Sequence, residues 1–200
     1  MTGALTAKGR ATRQRLLDAA IDHLATHGII EVAVIGETAN VAPSVLYRYF
    51  DGRDGLVAAV VEEFYDEYEQ QVFARRDVPG AGWAAREAGR LQREIEFFYS
   101  HRLGRTIACG LLREPAAVQV DALRTRAQGE AAARNIRAGQ RAGELAPAVD
   151  AGLTGAAIIG SVRSMLADAL SRTPPADQQD VLAAAMTIGT ALLTRKVTKA

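Results

Sequence analysis

The sequence predicts an all-α protein, and three observations carry that prediction. Proline is scarce, at 6 in 200 residues, while alanine is abundant, and a helix interior tolerates alanine best and proline least. β-branched residues rarely cluster, so few segments have the composition of a sustained strand. Apolar residues recur at helical spacing along most of the chain, with turn residues grouped between the runs. The pattern amounts to about nine helices, three short ones over 1–55 and a larger helical part over 56–200.

The first helix is "ATRQRLLDAAIDHLATHG", where Leu16, Ala20 and Leu24 share a stripe flanked by Leu17 and Ile21. Gly28 suits the position just past its end, where a left-handed residue closes a helix. "EVAVIGETA" resembles a strand in composition, yet Val32, Ile35 and Ala39 follow helical spacing, and Gly36 allows close approach of a neighbour. Asn40 tolerates the positive φ of a tight turn, and Pro43 fits the first turn of a third helix, where its missing N–H costs nothing. After "DGRDG", a fourth helix carries Val57, Val60, Val61, Phe64, Tyr68 and Val72 on one stripe.

"DVPGAG" over 77–82 is the clearest break in the pattern. A fifth helix follows with Ala84, Ala88, Leu91, Ile95 and Phe98, then a short sixth in "GRTIACGLL". Pro115 opens a long, charge-rich seventh helix that continues to Leu145. Two last helices span 150–171 and 176–197, set off by "APAVDAG" and "SRTPPAD".

Charge excludes little by itself, because 24 Lys and Arg against 23 Asp and Glu leave a net +1. Any affinity for an anionic partner must come from local placement. The sole cysteine, Cys109, rules out an intramolecular disulfide and fits a reducing compartment. No N-terminal apolar run precedes a cleavage signal, and the apolar stretches at 153–170 and 181–193 are either interrupted by Arg163, Ser164 and Asp168 or too short to span a bilayer. A cytoplasmic location with no membrane partner is expected.

The third helix raises the functional question. At about 100° per residue, Leu46 and Phe50 share one face, while Ser44, Val45, Arg48 and Tyr49 occupy the other. The apolar pair can dock on helices 1 and 2, which turns the hydroxyl, the guanidinium and the phenol outward. Arginine grips guanine O6 and N7 in a bidentate fork, serine pairs with several bases, and valine meets a thymine methyl. Tyrosine hydroxyls donate to phosphate oxygens, and Lys8 and Arg10 precede the first acidic residue on an arm suited to the backbone. Three short helices with a tight turn between the second and third make a helix-turn-helix.

With these residues in view, "RLLDAAIDHLATHG" and "IGETANVAPSVLYRYFDGRDGLVAAVVEEF" resemble the N-terminal domain of the TetR family of transcriptional regulators. The "LYRYF" run followed by Arg53 and Leu56 is close to that family's recognition-helix signature. The resemblance implies a ligand-responsive repressor that binds an inverted-repeat operator as a homodimer and is released by a small, often hydrophobic effector. It implies base contacts from Pro43, Ser44, Val45, Arg48 and Tyr49, and phosphate contacts from Tyr47 and Arg53. Several positions depart from the family pattern. Ala42 replaces the usual Ser or Thr cap, Asn40 a usual glycine and Arg53 a usual lysine, and the connection from Gly28 to Ile35 is short and uncapped.

The resemblance also places an effector pocket among the later helices, for which Phe64, Tyr68, Trp83, Phe98 and Cys109 are the candidates. The last two helices carry a stripe of small residues (Leu153, Ala157, Gly160, Ser164) and an apolar one (Val181, Ala185, Ile188, Leu192). A helix apolar on more than one side must bury more than one side, which points to a dimer interface. Two rival classes compete with this reading. An enzyme has little support: His23 and His27 lie at i and i+4 but no third metal ligand converges, and no phosphate-binding glycine loop or nucleophile elbow occurs. No cofactor and no metal is expected. A helical adaptor would use the Tyr-Arg-Tyr face for protein binding, since those residues enrich interface hot spots.

Overall fold

The computed structural model describes residues 6–73, 82–112 and 114–193. Every regular element among them is helical: α1 (Ala7–His27), α2 (Val32–Thr38), a 3-10 turn (Pro43–Val45) leading into α3 (Leu46–Tyr49), α4 (Gly52–Tyr68) running into a π-helical turn (Glu69–Phe73), α5 (Trp83–Ser100), α6 (Gly104–Ala108), α7 (Pro115–Arg141), α8 (Ala151–Ser171) and α9 (Gln178–Leu193). The all-α expectation is met. The break at 77–82 falls outside the described residues except for Gly82, as does the expected end of the last helix beyond 193.

Local chemistry explains the helix ends. Thr6 caps α1 by accepting from the Gly9 N–H at 3.2 Å, and Gly28, at φ 72, closes it with a bond from its N–H to Leu24 O. Asp150 caps α8 by accepting from the Leu153 N–H at 2.9 Å. α7 stops short of the expected Leu145. Gly143 enters the left-handed region at φ 74, and the Glu144 and Leu145 N–H groups turn back to Gly139 O at 2.9 and 3.3 Å, which closes the helix.

The chain divides into two compact units, Met1–Asp66 with Leu111–Asp121, and Glu67–Gly110 with Ala122–Ala200. This differs from a boundary at 55/56, because the division falls within α4 and a later segment joins the first unit. Side chains of that segment, Leu112, Glu114 and Ala117, are buried. In the first unit, α1 packs on α2 and α3, burying Leu16, Leu17, Leu24, Ile35 and Leu46 together with Leu56 and Val60 of α4. Each such aliphatic side chain contributes about 1.5–3 kcal/mol when fully buried.

In the second unit, α9 packs on α5 and α8, and α6 packs on α5 and α8. An aromatic cluster fills part of its core: Tyr68 meets Phe97 and Phe98 edge-on at centroid distances of 5.6 and 6.1 Å. α8 is long and apolar enough to cross a membrane by length and composition, with a mean hydropathy of 1.3 over its most apolar stretch. Arg163 and Asp168 therefore do not break its apolar character as sharply as the sequence implied. Ile159, Val162, Leu166 and Leu170 of this helix are buried within the unit.

Candidate nucleic-acid interface

The turn from α2 to α3 is built by Gly36 and Asn40. The Val41 N–H donates to Gly36 O at 2.9 Å, and a Cβ at 36 would lie 3.1 Å from Val41 O and 3.4 Å from Pro43 Cγ. A side chain there would force the turn outward. Asn40 takes φ 53, the left-handed conformation its short polar side chain tolerates. Beyond it, Ala42 is extended and supplies no side-chain cap. With no capping oxygen, the entry tightens into i→i+3 bonds: the Val45 N–H donates to Ala42 O at 2.8 Å. The single helix expected from Pro43 is thus a 3-10 turn followed by one α-turn.

That short rod is pinned from behind. Leu46 is 0% exposed and Phe50 6%, and the Arg13 guanidinium stands 5.0 Å over the Phe50 ring. Pro43, Ser44 and Arg48 are exposed, Tyr47 is 64% exposed, and Val45 and Tyr49 are half-buried. The side chains of Ser44, Tyr47, Arg48 and Tyr49 have no hydrogen-bond or ion partner among the described residues. Lys8 and Arg10 lie exposed on the first turn of α1.

Arg53 is placed otherwise than as a free phosphate ligand. Its Nη1 donates to Glu114 Oε2 at 2.7 Å, its Nη2 to Glu114 Oε1 at 2.5 Å, and its Nε to Ile30 O at 3.0 Å. The hydrogen bond to Glu114 holds the guanidinium pKa above its ordinary value, against the opposing effect of burial. Glu114, 5% exposed, also accepts from the Ile30 N–H at 3.3 Å. Sequence reasoning missed this partner because it lies 61 residues further on and belongs to no local motif.

The second unit contains a cavity of about 260 Å³ between the π-helical turn, α5, α7 and α8, lined by Val72, Phe73, Trp83, Ile136, Ile158 and Ile159 with Arg86, Arg90 and Arg93. A second, of about 200 Å³, shares Trp83, Glu87, Arg90 and Ile158 with it. Of the five pocket residues expected, only Trp83 lines either cavity. Phe64, Tyr68 and Phe98 are buried core residues, and Cys109 donates from Sγ to Ala167 O at 3.5 Å. The periodicity that marked these aromatics as inward-facing is satisfied equally by core packing. The polar wall was not foreseen. Arg90 donates to Glu87 at 2.9 Å and to Glu94 at 2.8 Å, and stands 5.6 Å over Phe73. Burial pulls its pKa down, but Glu94 and Glu87 more than offset that and hold it raised.

The expected dimer surface splits in two. On α8, Leu153 is 75% exposed, and Ala157, Gly160 and Ser164 are exposed beside it. On α9 the choice of face needs correction, since Val181 and Ala185 are buried within the unit and Leu192 is half-buried. Of the four α9 positions only Ile188 is exposed, with Ala184 four residues before it on the same face. Packing of α9 on α5 and α8 takes up the more apolar stripe. His23 and His27, the i, i+4 histidine pair on α1, stack on each other with ring centroids 4.3 Å apart.

Residues 16–60 match the family model described as bacterial regulatory proteins, tetR family. No curated protein sequence matches the chain closely enough to count as a relative. Among solved structures, the fatty acid degradation regulator FadR from Bacillus halodurans is similar with a TM-score of 0.71 and 16% identity, covering 98% of this chain and 100% of that one. FadR from Bacillus subtilis, solved with stearoyl-CoA, has a TM-score of 0.68 and 16% identity, with 90% and 97% covered. A bacterial regulatory protein of the tetR family from Rhodococcus RHA1 has a TM-score of 0.68 and 17% identity, with 91% and 96% covered. At these identities the likeness is one of fold, and it extends over both units.

Proposed function

We propose that this chain, a TetR-family protein by its residues 16–60 and its fold, is a DNA-binding transcriptional repressor that reads an inverted-repeat operator as a homodimer and is released by a small-molecule effector. The observation that carries the reading is the open side of the 3-10 turn and α3: Ser44 and Arg48 exposed and Val45 and Tyr49 half-buried, on a rod pinned by buried Leu46 and Phe50. Pro43, Ser44, Val45, Arg48 and Tyr49 then meet base edges in the major groove, while Tyr47, Lys8 and Arg10 meet phosphates. Phosphate contact by Arg53 is not carried forward, because its guanidinium is held by Glu114 and Ile30.

The dimer is proposed to form through the exposed side of α8, with Leu153, Ala157, Gly160 and Ser164, and through Ile188 of α9. A two-fold axis there would present two reading helices to half-sites roughly 34–36 Å apart. The effector is proposed to enter the cavity beside Trp83. At about 260 Å³ it lies just under the usual 300–1,000 Å³ range for ligand pockets, and so suits a compact molecule better than an acyl-CoA of the kind bound in the Bacillus subtilis structure. An effector favouring a conformation with mis-spaced reading heads lowers operator affinity by the same factor by which DNA lowers effector affinity. The protein would act in the cytoplasm, without a membrane partner and without catalysis.

Selection of bound sequences from a random duplex pool tests the reading. An inverted repeat is the expected outcome, with binding that weakens steeply as salt rises. Binding without sequence preference or salt dependence would instead favour an adaptor that presents the Tyr-Arg-Tyr face to a protein.

A further inference from the structure

After α6 the chain passes through Gly110, which takes φ 63 with open space where a side chain would begin. From Leu111 to Asp121 it belongs with the helix-turn-helix unit. Side chains fasten this segment at two places. Near its start, the Glu114 carboxylate accepts both Arg53 Nη atoms, at 2.7 and 2.5 Å, and the Ile30 N–H, while Arg53 Nε reaches Ile30 O. At its end, Asp121 accepts a hydrogen bond from the hydroxyl of the buried Tyr65. One carboxylate therefore ties together the turn before α2, the first turn of α4 and the entrance to α7.

We propose that Glu114 is a positioning residue for DNA reading: with Arg53 it clamps residues 111–121 onto the helix-turn-helix unit, so that the segment following α6 moves with α3, and Arg53 serves this clamp rather than the DNA backbone. The inference rests on the reading of α3 as the DNA-reading helix. The balance of interactions favours the clamp. Separating the pair would leave the Glu114 carboxylate buried and uncompensated, whereas a phosphate contact made at the surface is screened by salt and replaceable by water. Geometry points the same way, since the planar fork of arginine spans both carboxylate oxygens and still presents Nε to Ile30 O. A lysine, a single point charge, cannot do this.

Hydrogen exchange and DNA binding of the full-length protein test the clamp. Arg53→Lys keeps the charge and loses the fork. It is expected to lower protection of the Ile30 amide by about tenfold or more and to speed exchange across 111–121. The double variant Arg53→Met/Glu114→Gln removes the pair without changing net charge. It is expected to leave unchanged the salt slope for binding a mixed-sequence duplex. Wild-type protection in Arg53→Lys at Ile30 and 111–121 would overturn the proposal. So would a double variant whose salt slope flattens by about one unit per protomer, the mark of a lost phosphate contact. A wild-type protein that bound no duplex would remove the DNA-reading function, while the exchange result would still report on the clamp by itself.

Discussion

Arginine is used in opposite ways in the two units. Arg48 stands exposed on the outward face of α3 with no ion pair among the described residues. Arg90, in the second unit, has a side chain only 11% exposed, held between Glu87 and Glu94 and stacked over Phe73. The first is a donor fork left over by folding and therefore available to a partner. The second is a cation that the fold itself requires. Arg53 lies between them in exposure, with a side chain 41% exposed, yet its bonds place it with the committed kind. The contrast teaches that a basic residue in a recognition motif indicates function only once its hydrogen-bond partners are known.

The largest expected effect lies on the buried side of this comparison. Glu94→Ala removes one carboxylate from Arg90 and should lower unfolding stability by about 3–5 kcal/mol, read from urea denaturation. A loss near zero would mean that Arg90 is not held by this pair. On the exposed side, Arg48→Ala should leave the denaturation midpoint unchanged and cost about 1–3 kcal/mol of discrimination at one base pair per half-site, measured by titration with operator variants. Full discrimination in that variant would mean that Arg48 reads no base edge.

A pH experiment sharpens the same distinction within the second unit. Burial, helped by neighbouring Arg102, lowers the His101 pKa to about 4. The ring stacks on Phe97 at 5.1 Å, and its Nδ1 accepts from the Leu103 N–H at 3.0 Å. Glu67 Oε2 lies 3.7 Å from Nε2, but on a side chain 42% exposed, where water screens its charge. The unfolded chain takes up a proton below about pH 6.5, and the folded ring does so only near 4. Stability should hold above pH 6.5, fall by about 1–2 kcal/mol as pH drops toward 4, and level off below. His101→Asn should flatten that part of the profile, and an unchanged slope would assign it to other groups.

The smallest expected effect concerns the entry to α3. Ala42→Ser supplies the absent capping oxygen and should raise stability by about 0.5–1 kcal/mol, visible as a small rise in Tm with DNA-binding specificity intact. No gain would show that the 3-10 entry cannot use a cap.

How much was legible in the sequence differs between the units for a physical reason. The helix-turn-helix is a local device. Gly28, Gly36, Asn40 and Pro43 each meet a backbone demand set by residues within a few positions, and Leu46 and Phe50 mark the buried side of a single turn. Those features could be placed before any coordinates. The pocket could not, because Phe64, Tyr68 and Phe98 carry the same inward periodicity whether they pack against each other or line a space. Its polar wall of Arg86, Arg90 and Arg93 depends on which distant helices meet them, which no local pattern records. The stripe on α9 failed for a related reason: both of its apolar sides met the interface pattern, and packing on α5 and α8 chose between them.

Helicity, the turn before α3 and the exposure of Ser44 and Arg48 were determined by the sequence alone, because propensity, capping and the 100° rotation per residue act over one or two turns. Tertiary structure alone decided that Arg53 pairs with Glu114, that residues 111–121 join the first unit, and that Trp83 rather than Cys109 borders a cavity. Those outcomes depend on which distant groups meet once the core closes, and a buried carboxylate takes the cation that folding brings to it.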